Sequence, residues 1–337
     1  MNDKIGWGIL STAKINKALI EPVRQAARSE LVAVASRDKA RAEAYAREQG
    51  IPKAHGSYEA LLADPDVDVI YNPLPNSLHC EWTVKAAEAG KNVLCEKPLV
   101  TTLVDFERVE AAARANNVTV FEAFMYLHHP QTRQITEMIK AGKLGTLQLI
   151  NCWFAFYLPV EDSQNIRLNP DLDGGSLWDV GVYPNSLAVV LNQAGPPVEV
   201  WAQQIKGETG VDVYIMAQLK FANGVTAQIS SGFRSPFREG AQIVGDKGMI
   251  QISEPWKPWL GGKKTTYLYS TVDDRAETVT PPEINPYLCE VQAMEACVLD
   301  GAEPVVPLSL SRDFLRSILA IYESANSGRP VKLETVF

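Results

Sequence analysis

The chain has little of what staples, metallates or charges a protein. Its five cysteines (Cys80, Cys95, Cys152, Cys289 and Cys297) are odd in number, and no two form a Cys-x-x-Cys pair. That argues against a disulfide framework and against a zinc centre, so no metal is expected and reduced thiols in a cytoplasm fit better. Long Lys/Arg runs are missing: the net charge is −8, and the one notable basic doublet, Lys263-Lys264, reads as a solvated loop. A nucleic-acid partner needs a basic face to neutralise phosphates, so that class drops out. No uninterrupted apolar run is long enough for a bilayer span, which leaves no membrane partner. The segment Met1-Asn2-Asp3-Lys4 reads straight into a strand without an apolar signal region, so a cytoplasmic location is expected. Internal repeats and low-complexity tracts are absent too.

What remains is an ordinary globular composition, 46% hydrophobic and 21% charged over 337 residues, enough for two domains. The first part alternates strand and helix patterns. Strands are expected at 5–10, 31–35, 67–71, 92–95 and 118–122. Helices are expected after Ser11 or Thr12 as cap (ended or kinked at Pro22), at 39–48, at 81–89 before Gly90, and from a capping box at Thr102-Leu103-Val104-Asp105 to 115. Strands alternating with helices mean a parallel, doubly wound sheet. Beyond this the pattern changes. A helix at 130–140 precedes a long aromatic-rich strand at 147–157, and a helical stretch follows Gly174-Gly175. Strands at 199–206, 211–221 and 225–231 then run close together, with Asn223-Gly224 as a hairpin signal. Two late helices, 286–299 and 311–326, are expected to pack back toward the first domain. The fold class is therefore α/β, with an N-terminal Rossmann domain over 1–123 and a C-terminal α+β domain over 124–337 built on a mostly antiparallel sheet.

Two motifs carry the chemistry. Gly6-Trp7-Gly8-Ile9-Leu10-Ser11 follows the glycine fingerprint of a dinucleotide site. Gly6 is expected to permit the tight turn and Gly8 to let the backbone approach a pyrophosphate. Ser11 stands where a third glycine would, and the following helix would point its N–H groups at the phosphates. At the end of the second strand, Ser36-Arg37-Asp38 offers a hydroxyl and a guanidinium fork to a 2′-phosphate, which favours NADP, with NAD possible. Asp38 either holds a ribose or caps the next helix. In Asn72-Pro73-Leu74-Pro75-Asn76-Ser77-Leu78-His79, two prolines stiffen a loop at the carboxyl edge of the sheet; Asn76 and His79 either line the cofactor or complete a rigid turn.

The second motif is Cys95-Glu96-Lys97-Pro98-Leu99. A lysine after a buried strand can donate to a substrate oxygen or lower the pKa of a neighbouring acid, and Pro98, as a cis residue, can aim it. In the second domain, Asp179 and Tyr183 stand at i and i+4 on one helical face, a carboxylate and a phenol suited to proton transfer at a sugar hydroxyl. The bland alternative is a cap and an amphipathic tyrosine. The aromatic stretch Trp153-Phe154-Ala155-Phe156-Tyr157 reads as sheet core or subunit interface ahead of a carbohydrate platform, because alternate residues face opposite sides.

With these residues, the chain resembles the glucose-fructose oxidoreductase / inositol dehydrogenase / MocA (Gfo/Idh/MocA) family over nearly its whole length. The resemblance rests on the glycine fingerprint, Glu96-Lys97-Pro98, and Gly174-Gly175 leading to Asp179 and position 183. It implies an open, largely antiparallel C-terminal sheet, a homodimer or homotetramer through that sheet, and hydride transfer between NAD(P) and a sugar, polyol or related carbonyl or diol. Lys97, Tyr183 and Asp179 fall on the catalytic positions. The cofactor positions fall on Gly6, Gly8, Ile9, Ser11, Thr12, Ser36, Arg37, Pro73, Leu74, Asn76, His79, Glu96 and Lys97. The substrate positions fall on Lys97, Glu122, Met125, Arg167, Trp178, Asp179 and Tyr183. Tyrosine at 183, where many members carry histidine, resembles the dimeric dihydrodiol dehydrogenase and NADP-dependent D-xylose dehydrogenase branch; Leu127 is similar to the ketosugar reductases of deoxysugar pathways. The expectation is a cytoplasmic NADP-dependent sugar oxidoreductase that oxidises a pyranose at C1 to a lactone. Ketosugar reduction is the enzymatic alternative, and a non-catalytic dinucleotide-binding regulator is the alternative of another class.

Overall fold

The computed structural model describes residues 4–159, 165–260, 264–273 and 275–335; Met1-Asn2-Asp3 and Lys263 lie outside them. The chain divides into two compact units, Met1–His128 with Asn285–Ser311, and His129–Ile284 with Arg312–Phe337.

The first unit is built from short apolar runs that are buried on both faces, the mark of parallel strands covered by helices. Strands β1 (Ile5–Leu10), β2 (Ser29–Ala35), β3 (Lys53–His55), β4 (Val69–Asn72), β5 (Asn92–Cys95) and β6 (Val120–Glu122) lie in the order β3-β2-β1-β4-β5-β6, all parallel. This order reverses direction between β1 and β4, which opens a crevice at the carboxyl ends of the strands. Helices α1 (Asn16–Gln25), α2 (Lys39–Gln49), α3 (Tyr58–Leu62), α4 (His79–Glu88), α5 (Leu103–Asn116) and α6 (Met125–His128) accompany them. The three-residue β3 is too short and too half-buried to show as a periodic signal, and the sequence reading passed over it. Two local expectations are corrected. Ile15 takes the N-cap position of α1 without a side-chain bond, so neither Ser11 nor Thr12 caps it, and Pro22 lies inside the helix without ending it.

The second unit contains α7 (Pro130–Lys140) and the strands β7 (Leu147–Tyr157), β8 (Glu199–Lys206), β9 (Asp212–Lys220), β10 (Thr226–Gly232), β11 (Arg234–Gly245), β12 (Gly248–Ile252), β13 (Tyr267–Thr271), β14 (Ala276–Val279) and β15 (Val331–Lys332). Among the described residues they form a nine-stranded open sheet, antiparallel except where β10 runs parallel to β7. Inward residues such as Ile150, Cys152, Ala202, Ile215, Ala227 and Ile243 are buried, and the alternate residues face outward, as a one-sided core requires. Helix α8 (Val182–Asn192) packs on the inner face against β7 and β10. The strands from β11 onward, where turns and bulges interrupt the alternation, had no counterpart in the sequence reading.

Helix α9 (Pro286–Asp300) belongs to the first unit, where it packs on α1 and α6. Buried Glu295 accepts from the Arg28 backbone at 2.9 Å and from Ser29 Oγ at 2.9 Å, and Ser29 Oγ in turn accepts from Trp7 Nε1 at 3.0 Å. Helix α10 (Leu308–Ser327) enters the second unit from Arg312. All five cysteines are free. Among the described residues no helix is long and apolar enough to cross a membrane.

Candidate active site

The glycine fingerprint is displaced from where its spacing suggested. Gly6 and Gly8 lie within β1, not in the turn after it. They are needed there for contact: a Cβ at Gly6 would collide with the Asp66 carbonyl, and one at Gly8 would meet Val67 and Leu61 at 2.8 and 3.0 Å. The tight turn falls on Ser11, whose φ of +71° is the left-handed conformation usually left to glycine. Asn16 steadies the turn by donating from Nδ2 to the Ser11 carbonyl at 3.0 Å.

Next to this turn the end of β2 collects positive charge. Asp38 accepts from the Arg41 N–H at 3.1 Å through Oδ1 and so caps α2. Arg41 was not singled out in the sequence, yet its Nε donates to Thr12 Oγ1 at 2.8 Å. Burial pushes the Tyr58 phenol up, while Arg37 and Arg41 pull it the other way, which places both guanidinium groups beside that ring. The signal for Arg41 was its place in the first turn after the Asp38 cap.

Lys97 sits on a turn held by three buried or half-buried side chains. The Lys97–Pro98 peptide is cis. On one side Tyr71 donates to Glu96 Oε1 at 2.6 Å. On another, His79 at the start of α4 places Nδ1 at 2.7 Å from the Pro98 carbonyl and Nε2 at 2.7 Å from the Leu74 carbonyl. Burial pushes the pKa of this imidazole down to about 4 against the upward pull of the two carbonyls, and the neutral ring donates to one of them at a time. His79 therefore ties the 72–79 loop to the lysine turn from inside and does not present its ring to a ligand. On the third side, Glu122 at the end of β6 accepts the Leu99 N–H at 3.0 Å. Burial pushes the Glu122 pKa up to about 7, against the opposing pull of the Leu99 bond and the Lys97 charge. Pro73, Leu74 and Met125 are buried beside these strand ends, and Asn76 opens a short 3-10 turn before α4.

In the second unit, the expected helical face begins with a π-turn over Leu177–Gly181, which carries Asp179, and continues as α8, which carries Tyr183. Single π-turns of this kind often mark functional segments. Arg167 Nε donates to Asp179 Oδ2 at 2.6 Å, so two residues proposed from sequence are brought together. Trp178 instead turns toward α10, with its ring 5.5 Å from that of Tyr322. The Tyr183 ring is buried against Phe154 at 5.6 Å and Trp256 at 5.8 Å. Phe156, on the same face of β7 as Phe154, lies 5.9 Å from the Arg167 guanidinium, whereas Trp153 on the opposite face meets Arg238 at 5.7 Å. One face of the aromatic strand thus lies beside the candidate phenol, and the other is turned outward. Trp256 and Phe237, 6.0 and 6.1 Å from Phe154, were missed; only their place after long stretches without periodicity could have pointed to them.

The residues of the first unit fit a dinucleotide: a strand–turn–helix at the topological switch point, a left-handed turn at Ser11, and two guanidinium groups at the end of β2. Comparison with known proteins agrees. The family model described as "Oxidoreductase family, NAD-binding Rossmann fold" matches residues 5–124, and the "GFO/IDH/MocA C-terminal domain" matches 132–251. The chain belongs to the Gfo/Idh/MocA family. It is an oxidoreductase with a nicotinamide-binding Rossmann domain. Among its relatives, "D-xylose 1-dehydrogenase (NADP(+)) 2" of Haloferax volcanii is 39% identical over 97% of this chain and 99% of its own length. Among solved structures, an aldose-aldose oxidoreductase from Caulobacter crescentus complexed with glycerol matches with a TM-score of 0.89 at 27% identity, covering 98% of this chain and 99% of that one. The 3-ketoreductase KijD10 from Actinomadura kijaniata, in complex with NADP and TDP-benzene, matches with a TM-score of 0.87 at 30% identity, covering 95% and 98%.

Proposed function

We propose that the protein transfers hydride between NADP and a sugar or related diol, with oxidation of a pyranose at C1 to its lactone as the reaction. The observation that carries this reading is the Arg167–Asp179 pair set one helical turn before a tyrosine buried in aromatic rings. NADP, when bound, supplies the hydride acceptor at the nicotinamide C4. Arg37 and Arg41 hold the 2′-phosphate, with Thr12 and the Ser11 turn at the pyrophosphate. Tyr183 takes the proton of the C1 hydroxyl as the C–H hydride leaves, and Lys97 stabilises the charge on that oxygen. Asp179 accepts from, and Arg167 donates to, neighbouring hydroxyls, which fixes which carbon faces the acceptor. Hydride transfer in the opposite direction on a different substrate, from NADPH to the carbonyl carbon of a ketosugar with Tyr183 giving a proton to its oxygen, is the second reading. Leu127, buried in α6, and the likeness to the 3-ketoreductase favour it.

The test is nicotinamide absorbance with purified protein. NADP⁺ or NAD⁺ is offered with a panel of aldoses including D-xylose, with polyols and with diols, and NADPH is offered with ketosugars. Turnover of aldoses with NADP⁺ is expected. Turnover of carbonyl acceptors alone would move the protein to the reductase reading. Binding of NADPH with no turnover in either direction would leave the regulator. Tyr183→Phe should lower turnover by about 10²–10⁴-fold while NADPH affinity stays within twofold.

The same reading includes a homodimer or homotetramer formed through the outer face of the nine-stranded sheet. Ile205 and Met216 stand there 63% and 45% exposed, on the side opposite α8, with half-buried Trp201, Tyr214 and Trp153 beside them in register. Ile205→Asp with Met216→Asp should lower the mass seen by sedimentation to that of one chain; an unchanged mass would place the contact elsewhere.

A further inference from the structure

We infer that Asp212 is a positioning residue, whose carboxylate fixes the opening turn of the helical segment that carries Asp179 and Tyr183. The inference rests on the catalytic reading of those two residues and adds what holds them.

A helix leaves its first N–H groups without internal partners. Here they are met from two other elements of the second unit. Asp212, at the start of β9, is 3% exposed. Its Oδ2 accepts from Ser176 Oγ at 2.6 Å and from the Leu177 N–H at 2.8 Å. Its Oδ1 accepts from the Tyr322 hydroxyl of α10 at 2.7 Å. Tyr322 in turn makes a backbone hydrogen bond with Trp178. The next amide, Asp179 N–H, is taken by the Gly175 carbonyl at 3.0 Å. One carboxylate, one phenol and one carbonyl thus fill the start of the π-turn.

The surrounding sequence is shaped to this carboxylate. Gly175 has φ +131°, and a Cβ there would overlap Asp212 Oδ1 and stand 3.1 Å from the Tyr322 hydroxyl. Gly181 closes the π-turn directly over Ser231, whose Oγ lies 3.2 Å from Ser176 Oγ; a Cβ at Gly181 would meet that Ser231 oxygen at 2.7 Å. Gly175 and Ser176 are thereby explained as the seat of a buried carboxylate contributed by another strand, whereas a Cβ at Gly174 would meet the Arg167 and Asn169 carbonyls. A fixed negative charge at this position also complements the positive end of the helix.

The consequence is geometric. The bonds to Asp212 end two residues before Asp179, and a π-turn holds one residue more than an α-turn can accommodate. Freed from Asp212, the turn can relax to ordinary α winding, which moves Asp179 relative to Arg167 and rotates the start of α8. Misplacement of reacting groups by about 1 Å costs on the order of 10²-fold in rate.

The experiment compares Asp212→Ala, Asp212→Asn, Tyr322→Phe and Tyr183→Phe in the full chain, with NADP⁺ and the aldose most rapidly turned over in the panel above. Rates are normalised to NADPH-binding sites, so that unfolded protein does not count. Asp212→Ala should lower kcat about 100-fold, with KM for NADP⁺ within twofold. Asp212→Asn keeps an oxygen for Ser176 and Leu177 and should recover at least tenfold of that loss. Tyr322→Phe, which removes one donor and leaves the carboxylate, should lower kcat severalfold and serves as the variant if Asp212→Ala does not fold. Amide exchange at Leu177, Trp178 and Asp179 should accelerate in the same order. If normalised kcat in Asp212→Ala and Tyr322→Phe equals that of the parent, the positioning role is overturned and Asp212 merely stabilises the fold. If Tyr183→Phe keeps full turnover, the catalytic reading of the helix fails instead, and the exchange data still report whether Asp212 clamps it.

Discussion

Lys97 and Tyr183 are held in opposite ways. Lys97 stands in the bend that follows β5, and three side chains from separate elements, Tyr71, His79 and Glu122, fasten the residues around it. Tyr183 stands on a continuous helix, fastened at its origin by Asp212 and along its side by Phe154 and Trp256. A turn has no ladder of its own, so its geometry depends on buried polar groups that must each stay paired and in the right charge state. A helix carries its own ladder and needs only an anchor and an apolar wall. The lysine end should therefore respond to pH and to each of its several polar fastenings, and the tyrosine end to its one polar anchor and to packing.

The largest effect tests the contrast at its functional centre. Lys97→Met removes the ammonium and keeps the length of the side chain. It should lower kcat/KM by about 10³-fold, in the range seen when a charge-stabilising donor is lost. Steady-state rates with parallel NADPH titration by fluorescence check it. A loss below tenfold would mean that the turn presents Lys97 for structure alone, and the contrast would lose its functional meaning.

A somewhat smaller effect reads the charge state of the turn. The Glu122 pKa is raised to about 7 from 4.5, with burial the main cause. A carboxyl whose pKa is raised on folding contributes stability that is complete below pH 4.5 and disappears as pH climbs through 7. Glu122→Gln keeps an oxygen for the Leu99 N–H and cannot ionise. The variant should match the parent at pH 4.5 and exceed it above pH 8, by at most about 3 kcal/mol. Thermal unfolding at the two pH values measures this directly. Equal differences at both would show that Glu122 does not change its protonation there, and that the lysine turn is no more pH-sensitive than the helix.

These two tests use residues that the sequence exposed unequally. Glu96-Lys97-Pro98 was legible because a charged residue at the end of an apolar strand has few structural reasons to be there. The bonds of Glu122 and His79 were not, because a side chain that turns inward to a backbone carbonyl or N–H leaves no periodic trace. The parallel strands read well from continuous apolar runs, and β7 and β8 from alternation and length. The half-buried β3 and the strands after Arg234 did not, since short or bulged strands dilute a period of two. The glycine fingerprint gave the right element for a local reason that differs from the expected one. Gly6 and Gly8 make room for the neighbours of β1, while the turn itself is made by Ser11. Arg167 and Asp179, twelve positions apart, meet because the chain folds back through the 3-10 turn that carries Arg167 and a second one at Pro170–Leu172.

Next in size is the cofactor end of the first unit. Arg37→Ala and Arg41→Ala should each raise KM for NADP⁺ about tenfold and leave KM for NAD⁺ within twofold, because only the former carries a 2′-phosphate for the fork to grip. Arg41 has the second duty of bonding Thr12, so its variant should also raise KM for NAD⁺ slightly more than the Arg37 variant does. Equal losses for both dinucleotides in both variants would move these residues from phosphate recognition to general support of the Ser11 turn.

The smallest effect probes the apolar wall of the tyrosine end. Phe237 is 66% exposed, an unusual place for a phenylalanine, and its ring meets Phe154 edge-on at 6.1 Å while Phe154 in turn meets Tyr183. Removing an exposed ring costs the fold little, since most of its surface already faces water. If the ring closes over the apolar side of a bound sugar, its loss weakens substrate and transition state alike. Phe237→Ala should then raise KM for the aldose about threefold to tenfold, leave kcat within twofold, and shift the melting temperature by no more than a degree or two. A fall in kcat with unchanged KM would instead show that Phe237 acts through Phe154 on the Tyr183 ring. The tyrosine end would then be as dependent on a relay of side chains as the lysine turn, and the distinction between the two would narrow to their polar and apolar character.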